Sequence, residues 1–143
     1  MIALDTNVLF PALEASHGNH AAARTFVDGL PAGEVAICEL VLMEIYVLVR
    51  NPATCRRPLG SAQAAAVIRR LRTNPNWRLI DYPGGLMEGV WRAAAKPGFA
   101  RRRIFDLRLA LTLLHHGVQD LATANVKDFA GLGFTRVLDP FAS

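Results

Sequence analysis

Cysteine is scarce in this 143-residue chain: only Cys38 and Cys55 occur, with no CxxC spacing. Two such residues make no disulfide framework, and reduced thiols in a cytoplasmic protein are the expectation. Long apolar runs are missing too. The richest stretch, Ile37 to Val49, is broken by Glu39 and Glu44, so nothing reaches membrane-spanning length. No basic region precedes the first apolar residues, so the pattern of a signal peptide is absent. Repeats, low-complexity segments and linkers are also lacking, and a single domain over residues 1–143 is expected. Lysine is nearly absent. Apart from Lys96 and Lys127, the 16 basic residues are all arginine.

What is present is a hydrophobic fraction of 52% and a net charge of +4. The first argues for a packed core and against disorder. The arginines cluster at Arg56-Arg57, at Arg69-Arg70-Arg72 and at Arg101-Arg102-Arg103. Each cluster alone is accounted for by a solvated face or loop. Together they suit an anionic polymer, because the planar guanidinium binds phosphate oxygens in pairs.

The order of elements alternates. Ile2–Asp5 reads as a short buried strand, followed by helices over Asn7–Glu14 and Asn19–Gly29. Val35–Ile37 is a second strand, and Glu39–Arg50 a helix stopped by Asn51-Pro52. Residues 51–60 form a loop, and Ser61 caps a long helix to Thr73. Trp77–Tyr82 is a third strand, with helices over Leu86–Ala95 and Ile104–His116, the latter ended by Gly117. Leu121–Thr123 and Arg136–Leu138 complete the strands. Such alternation predicts an α/β fold of three α/β/α layers around a four- or five-stranded parallel sheet.

Three acids stand out against this frame. Asp5 ends the first strand, where open α/β sheets place ligands. A near-buried charge is costly unless something pairs with it. Glu44 falls on a stripe with Leu40, Val47 and Leu48, which the helical period assigns to the inner face. Glu39, by contrast, is explained by the helix dipole at its first turn. Asp106 borders the stripe Leu107, Ala110, Leu111 and Leu114 in a helix's first turn. Thr123 ends the fourth strand and Asn125 lies just beyond it. Both approach Asp5 if those strands are neighbours. Asp128 is assigned a capping role in the turn around Phe129. At ~4 Å, two like charges cost about 4 kcal/mol at an effective dielectric of 20. A cation or a retained proton must offset that. Oxygen donors without histidine or cysteine favour Mg²⁺ or Mn²⁺ over zinc.

Four stretches carry a resemblance. They are Leu4-Asp5-Thr6-Asn7-Val8-Leu9, Leu42-Met43-Glu44-Ile45-Tyr46, Phe105-Asp106-Leu107-Arg108-Leu109-Ala110 and Thr123-Ala124-Asn125-Val126-Lys127-Asp128-Phe129. In this order and spacing the chain resembles a PIN domain, specifically the VapC-type toxin ribonucleases of bacterial toxin–antitoxin modules. The resemblance implies a metal-dependent endoribonuclease cutting structured RNA of the tRNA or rRNA class. It implies metal-binding roles for Asp5, Glu44 and Asp106, and a catalytic role for Asn125 at a position where many relatives carry a fourth acid. An amide there leaves one metal or two an open choice. Thr6, Asn7, Thr123 and Asp128 would support the site from behind, and Arg101, Arg102 and Arg103 would hold the RNA backbone. A cognate antitoxin and a homodimer are further implications.

Rival readings are weaker. An aspartyl phosphohydrolase needs a second Asp at position 7, which is Asn. A phosphoacceptor receiver wants adjacent acids on the first strand, which are missing. A catalytically weak module that binds RNA or antitoxin is the remaining alternative, and three repelling acids have no purpose in it.

Overall fold

A computed structural model describes residues 1–142. The elements run β1 (Ile2–Leu4), α1 (Thr6–Leu13), α2 (His20–Asp28), β2 (Val35–Cys38), α3 (Glu39–Val49), α4 (Ser61–Arg72) and β3 (Trp77–Ile80). Then come α5 (Leu86–Ala94), α6 (Arg103–His115), β4 (Asp120–Ala122), α7 (Val126–Phe129) and β5 (Arg136–Leu138). All strand pairs are parallel, in the order β3-β2-β1-β4-β5.

The three central strands are apolar and buried on both faces, from Ile2 to Leu4, Val35 to Cys38, and Leu121 to Ala122. That is the pattern of a parallel sheet covered by helices on each side. The chain leaves β1 in one direction, through β2 to β3, then returns across the sheet to place β4 on the other side of β1. Right-handed crossovers therefore put α1 to α4 on one face and α5 to α7 on the other. The reversal between β1 and β4 opens a crevice at their carboxyl ends, the usual ligand position in open α/β sheets. Register aligns Leu4 with Ala122, so the residues that follow, Asp5 and Thr123, leave the sheet side by side.

The local structure departs from expectation in two helices. Ser61 is the first helical residue of α4 and not its cap; Gly60 takes that place, and its N–H donates to Gln63 Oε1 at 3.2 Å. Gln63 thus satisfies a backbone donor without any help from a serine hydroxyl. In α6 the buried set is Leu107, Leu109, Ala110, Thr112 and Leu113, whereas Leu111 and Leu114 are half-buried. The helix is covered on more than one side, by the sheet and by α5, so its single-stripe period is blurred. Its end is a Schellman turn at Gly117, φ 75°, with Val118 N–H on Leu113 O and Gly117 N–H on Leu114 O.

Candidate functional site

Asp5 sits where β1 turns into α1. It is the N-cap of α1, and its Oδ1 accepts from the Thr6 amide at 2.7 Å. Its Oδ2 accepts from the Thr123 hydroxyl, also at 2.7 Å. Thr123 Oγ1 in turn accepts from Asn7 Nδ2 at 3.3 Å and from the Asn125 amide at 3.1 Å. Asn7 Oδ1 takes the Ala124 amide at 3.0 Å. One network thus ties the ends of β1 and β4 together across the crevice. Asp5 therefore has structural partners as well as a place at the ligand edge.

These bonds do not fully offset its burial. Asp5 is 7% exposed, and desolvation pushes its carboxyl above the ordinary range, with the Asp128 charge adding to it. The hydrogen bonds from Thr123 and Thr6 act the other way.

An open cavity of about 550 Å³ lies above this network. Its wall includes Asp5, Thr6, Asn7, Glu44, Asp106 and Asn125. Glu44 comes from the second turn of α3, and Asp106 from the first turn of α6 on the opposite face of the sheet. Both helices begin at the carboxyl edge of the sheet, which is what brings their early residues together.

Glu44 is not on the inner face of α3; its side chain is exposed into this cavity. Crowding nevertheless desolvates the carboxyl. Together with the charges of Asp5 and Asp106, that raises its pKa from 4.5 to about 7. Burial also raises Asp106, with Asp5 and Asp128 reinforcing the shift and Arg103 opposing it. The acids therefore feel one another, and each would release strain by gaining a cation.

Thr6 carries the other unmet demand. Its hydroxyl is buried with no hydrogen-bond partner, close enough to Glu44 to favour the charged carboxylate but in no bonding geometry to it. Such orphaned buried groups are rare and call for an explanation.

Among the described residues, no three acidic, histidine or cysteine side chains are close enough to close on one ion unaided. The donor set still fits a hard divalent cation. Mg²⁺ commonly binds through one or two carboxylates and keeps several waters, so it does not need a tight protein cage.

Other residues are placed differently from their sequence assignment. Asp128 lies inside α7 and caps nothing; its exposed carboxylate acts through space on Asp5 and Asp106. Arg101 and Arg102 precede α6 and stand off the cavity wall. Only Arg103 is near enough to favour ionised Asp106. The Arg69-Arg70-Arg72 cluster splits: Arg72 pairs with Glu39 at 2.6 Å, while Arg69 and Arg70 face separate grooves. His17 lines the cavity and was missed. Its ring meets Phe10 edge-on at 6.2 Å and its Nδ1 takes the Asn19 amide at 3.0 Å. Nothing in its spacing from the acids could have flagged it, because the turn after α1 folds it back.

This arrangement, a carboxylate-lined crevice at the switch point of a parallel sheet, coincides with a family match. The PIN-domain model matches residues 2–134. The chain belongs to the PIN-domain family. It is 47% identical to Ribonuclease VapC24 of Mycobacterium tuberculosis, over all of this chain and 99% of the relative. Two solved structures share the fold. VapC20 of M. tuberculosis, described as a sarcin-ricin loop cleaving toxin, superposes with a TM-score of 0.67 at 19% identity, over 85% of this chain and 87% of that one. A toxin–antitoxin complex from Klebsiella pneumoniae gives 0.60 at 21% identity over the full length of both chains.

Proposed function

We propose that the chain is a metal-dependent endoribonuclease and the toxin of a toxin–antitoxin pair. The observation that carries this reading is the shared cavity of Asp5, Glu44 and Asp106, with Glu44 shifted to about 7 by desolvation and by its acidic neighbours. The full-length relative that bears the name ribonuclease supports RNA as the substrate. Asp5, Asp106 and Glu44 would hold Mg²⁺ or Mn²⁺. When bound, such an ion neutralises the acids and stabilises charge on a phosphodiester under attack.

The chain's own residues then divide the work. Thr123 and the Thr6 amide hold Asp5 in one orientation, so its outer lone pairs face the cavity. Glu44 would accept the proton of the attacking water, and the leaving sugar oxygen takes a proton from solvent in the open cavity as its P–O bond breaks. Asn125 lies across the cavity and orients the water through its amide. Because the amide adds no charge, we favour one ion rather than two. The target is unpaired nucleotides within a structured RNA such as tRNA or rRNA, since the paired A-form groove hides its base edges.

An antitoxin partner belongs to the same proposal. Met43, Val47 and Phe105 are each about 60% exposed and line one apolar groove with Tyr46 and Ile68. Contiguous exposed apolar side chains of this kind mark protein contacts. Glu44 borders both this groove and the acidic cavity, so a bound segment could extend a basic side chain to the acids. Among the described residues, no helix is long and apolar enough to cross a membrane. We place the chain in the cytoplasm as a homodimer, and a monomeric mass by sedimentation would count against the dimer.

The test is cleavage of total RNA by the purified chain with Mg²⁺ present or chelated, wild type beside Asp5→Ala. Cleavage only by the wild type with Mg²⁺ is expected. Equal cleavage by both proteins would sink the metal-nuclease reading.

A further inference from the structure

A second cavity, of about 580 Å³, lies on the other side of the loop joining α3 to α4. The two cavities meet at Phe10, which lines both. The loop divides them. Ala53 and Thr54 face the acids, and Cys55, Arg56 and Arg57 face the second cavity.

The second cavity has the opposite electrostatic character. Arg56 and Arg57 from the loop and Arg70 from α4 line it, over apolar Phe10, Leu59 and Val67. Among the described residues, none of these three arginines forms an ion pair, unlike Arg24, Arg72, Arg92 and Arg136. The one carboxylate on the wall, Glu14, is shared between the loop and the turn after α1. It accepts from the Arg56 amide at 3.3 Å and from the Ser16 hydroxyl at 3.1 Å. Thr54 Oγ1 on Leu48 O at 2.9 Å and Leu59 N–H on Val49 O at 2.8 Å fix the rest of the loop to the end of α3. The arginines therefore sit on anchored backbone and need no ordering of the main chain to meet an anion.

We propose that this cavity is the subsite for the nucleotide next to the scissile phosphate. The base rests on the half-buried Leu59 and Val67, with the edge of buried Phe10 beneath them, and the flanking phosphates on Arg56, Arg57 and Arg70. The proposal rests on the ribonuclease reading of the neighbouring site and adds to it where the strand lies. Unpaired guanidiniums over an apolar floor match a nucleotide, whose base is flat and apolar-faced and whose phosphates are anionic. Proximity decides the register: an acidic cavity repels a phosphate, and a cationic one sharing its wall holds the polymer there regardless. The strand must cross the Ala53 to Arg57 ridge, so it enters the acidic cavity bent and single-stranded.

The experiment uses the full chain carrying Asp5→Asn, so that RNA is not cut, and a labelled oligouridine as probe. Changing Arg56, Arg57 and Arg70 together to Gln should weaken binding about tenfold or more. It should also reduce the slope of log affinity against log salt by about 2, at ~0.7 for each phosphate left without its arginine. Arg70→Gln alone, on α4 rather than on the loop, should remove about 0.7 of that slope. Changing Arg92 and Arg136 to Gln should leave both measures as they were. An abasic ribose-phosphate oligomer should bind the parent about tenfold less tightly than oligouridine, the usual scale for one stacked base. Unchanged affinity and slope in the folded triple variant would overturn the phosphate assignment, and equal binding of the abasic oligomer would overturn the base assignment. Either failure, with the wild type still cutting RNA, leaves the nuclease reading intact. A wild type that neither cuts nor binds RNA removes both.

Discussion

The acidic and basic cavities share Phe10 and one loop, yet they are held in place by different means. The acidic side is built from residues that leave the sheet at its central strands, with Asp5 and Thr123 bonded across the β1–β4 crevice. It stores unfavourable energy: burial and like charge raise all three acids. The basic side is built from a loop and the outer face of α4, and its arginines are exposed. It stores nothing comparable, because a solvated guanidinium costs little to keep. On the proposed reading, chemistry falls on the strained acidic side and strand capture on the exposed basic side.

The contrast breaks most decisively at Asp106. Asp106→Asn should lower the single-turnover cleavage rate by about a thousandfold, the scale of a few kcal/mol of transition-state charge stabilisation. RNA affinity should hold or rise, since a negative charge leaves the cavity. Lower affinity with an unchanged rate would reverse the division of labour.

Thr123→Val probes the scaffold beneath the acids. It removes one hydroxyl that serves Asp5, Asn7 and Asn125. Leaving buried partners unpaired should cost about 1–3 kcal/mol of unfolding free energy by urea titration. Stability matching the wild type would mean the network is not what holds Asp5.

Metal-free stability should depend on pH in a stated sense. Glu44 has its folded pKa raised, so its neutral form favours folding. Stability is fullest below the ordinary carboxylate value and is lost as pH climbs through about 7. Because Glu44 is exposed, the loss is on the order of 1 kcal/mol after solvent screening. Melting without divalent ions should therefore fall between pH 5 and 8, and Glu44→Gln should flatten that fall. Added Mg²⁺ at pH 8 should restore the midpoint, as any ligand of the folded state does. A profile that rises over this range in the metal-free protein would refute the repulsion.

The smallest effect is expected at Asp128. Asp128→Asn removes a charge that raises Asp5 and Asp106. It should shift the alkaline limb of the metal-free stability profile upward by a few tenths of a kcal/mol, the scale of an exposed charge pair. No change would assign Asp128 to solvent alone.

Most of the frame is legible in the chain alone. The alternation of short apolar runs with helical segments announces a parallel sheet, because the central runs in β1, β2 and β4 are apolar on both faces. Asp5 and Glu44 are legible as acids with no easy structural reason, whereas Asp106 taken alone is explained by the dipole at its helix's first turn. Glu44 is misplaced in one respect: periodicity puts it inward, but α3 meets the sheet on one side and a crevice on another, and both look alike to a helical repeat. Asp128 is misassigned for a related reason, since a capping acid and a through-space neighbour share one local sequence. Arg69, Arg70 and Arg72 look like one patch because they are close in sequence, yet a helix turns by about 100° per residue, so Arg69 and Arg72 line one groove and Arg70 another.

The sequence by itself determined the element order, the apolar strands, the family and the acids, since these follow from residue type and local period. Only the tertiary structure decided which groups meet. β4 lands beside β1 because the chain reverses at the switch point, and that reversal makes Thr123 the partner of Asp5 from 118 positions along the chain. The same folding sets a cationic cavity against an acidic one across a single loop, a juxtaposition that no spacing along the chain encodes.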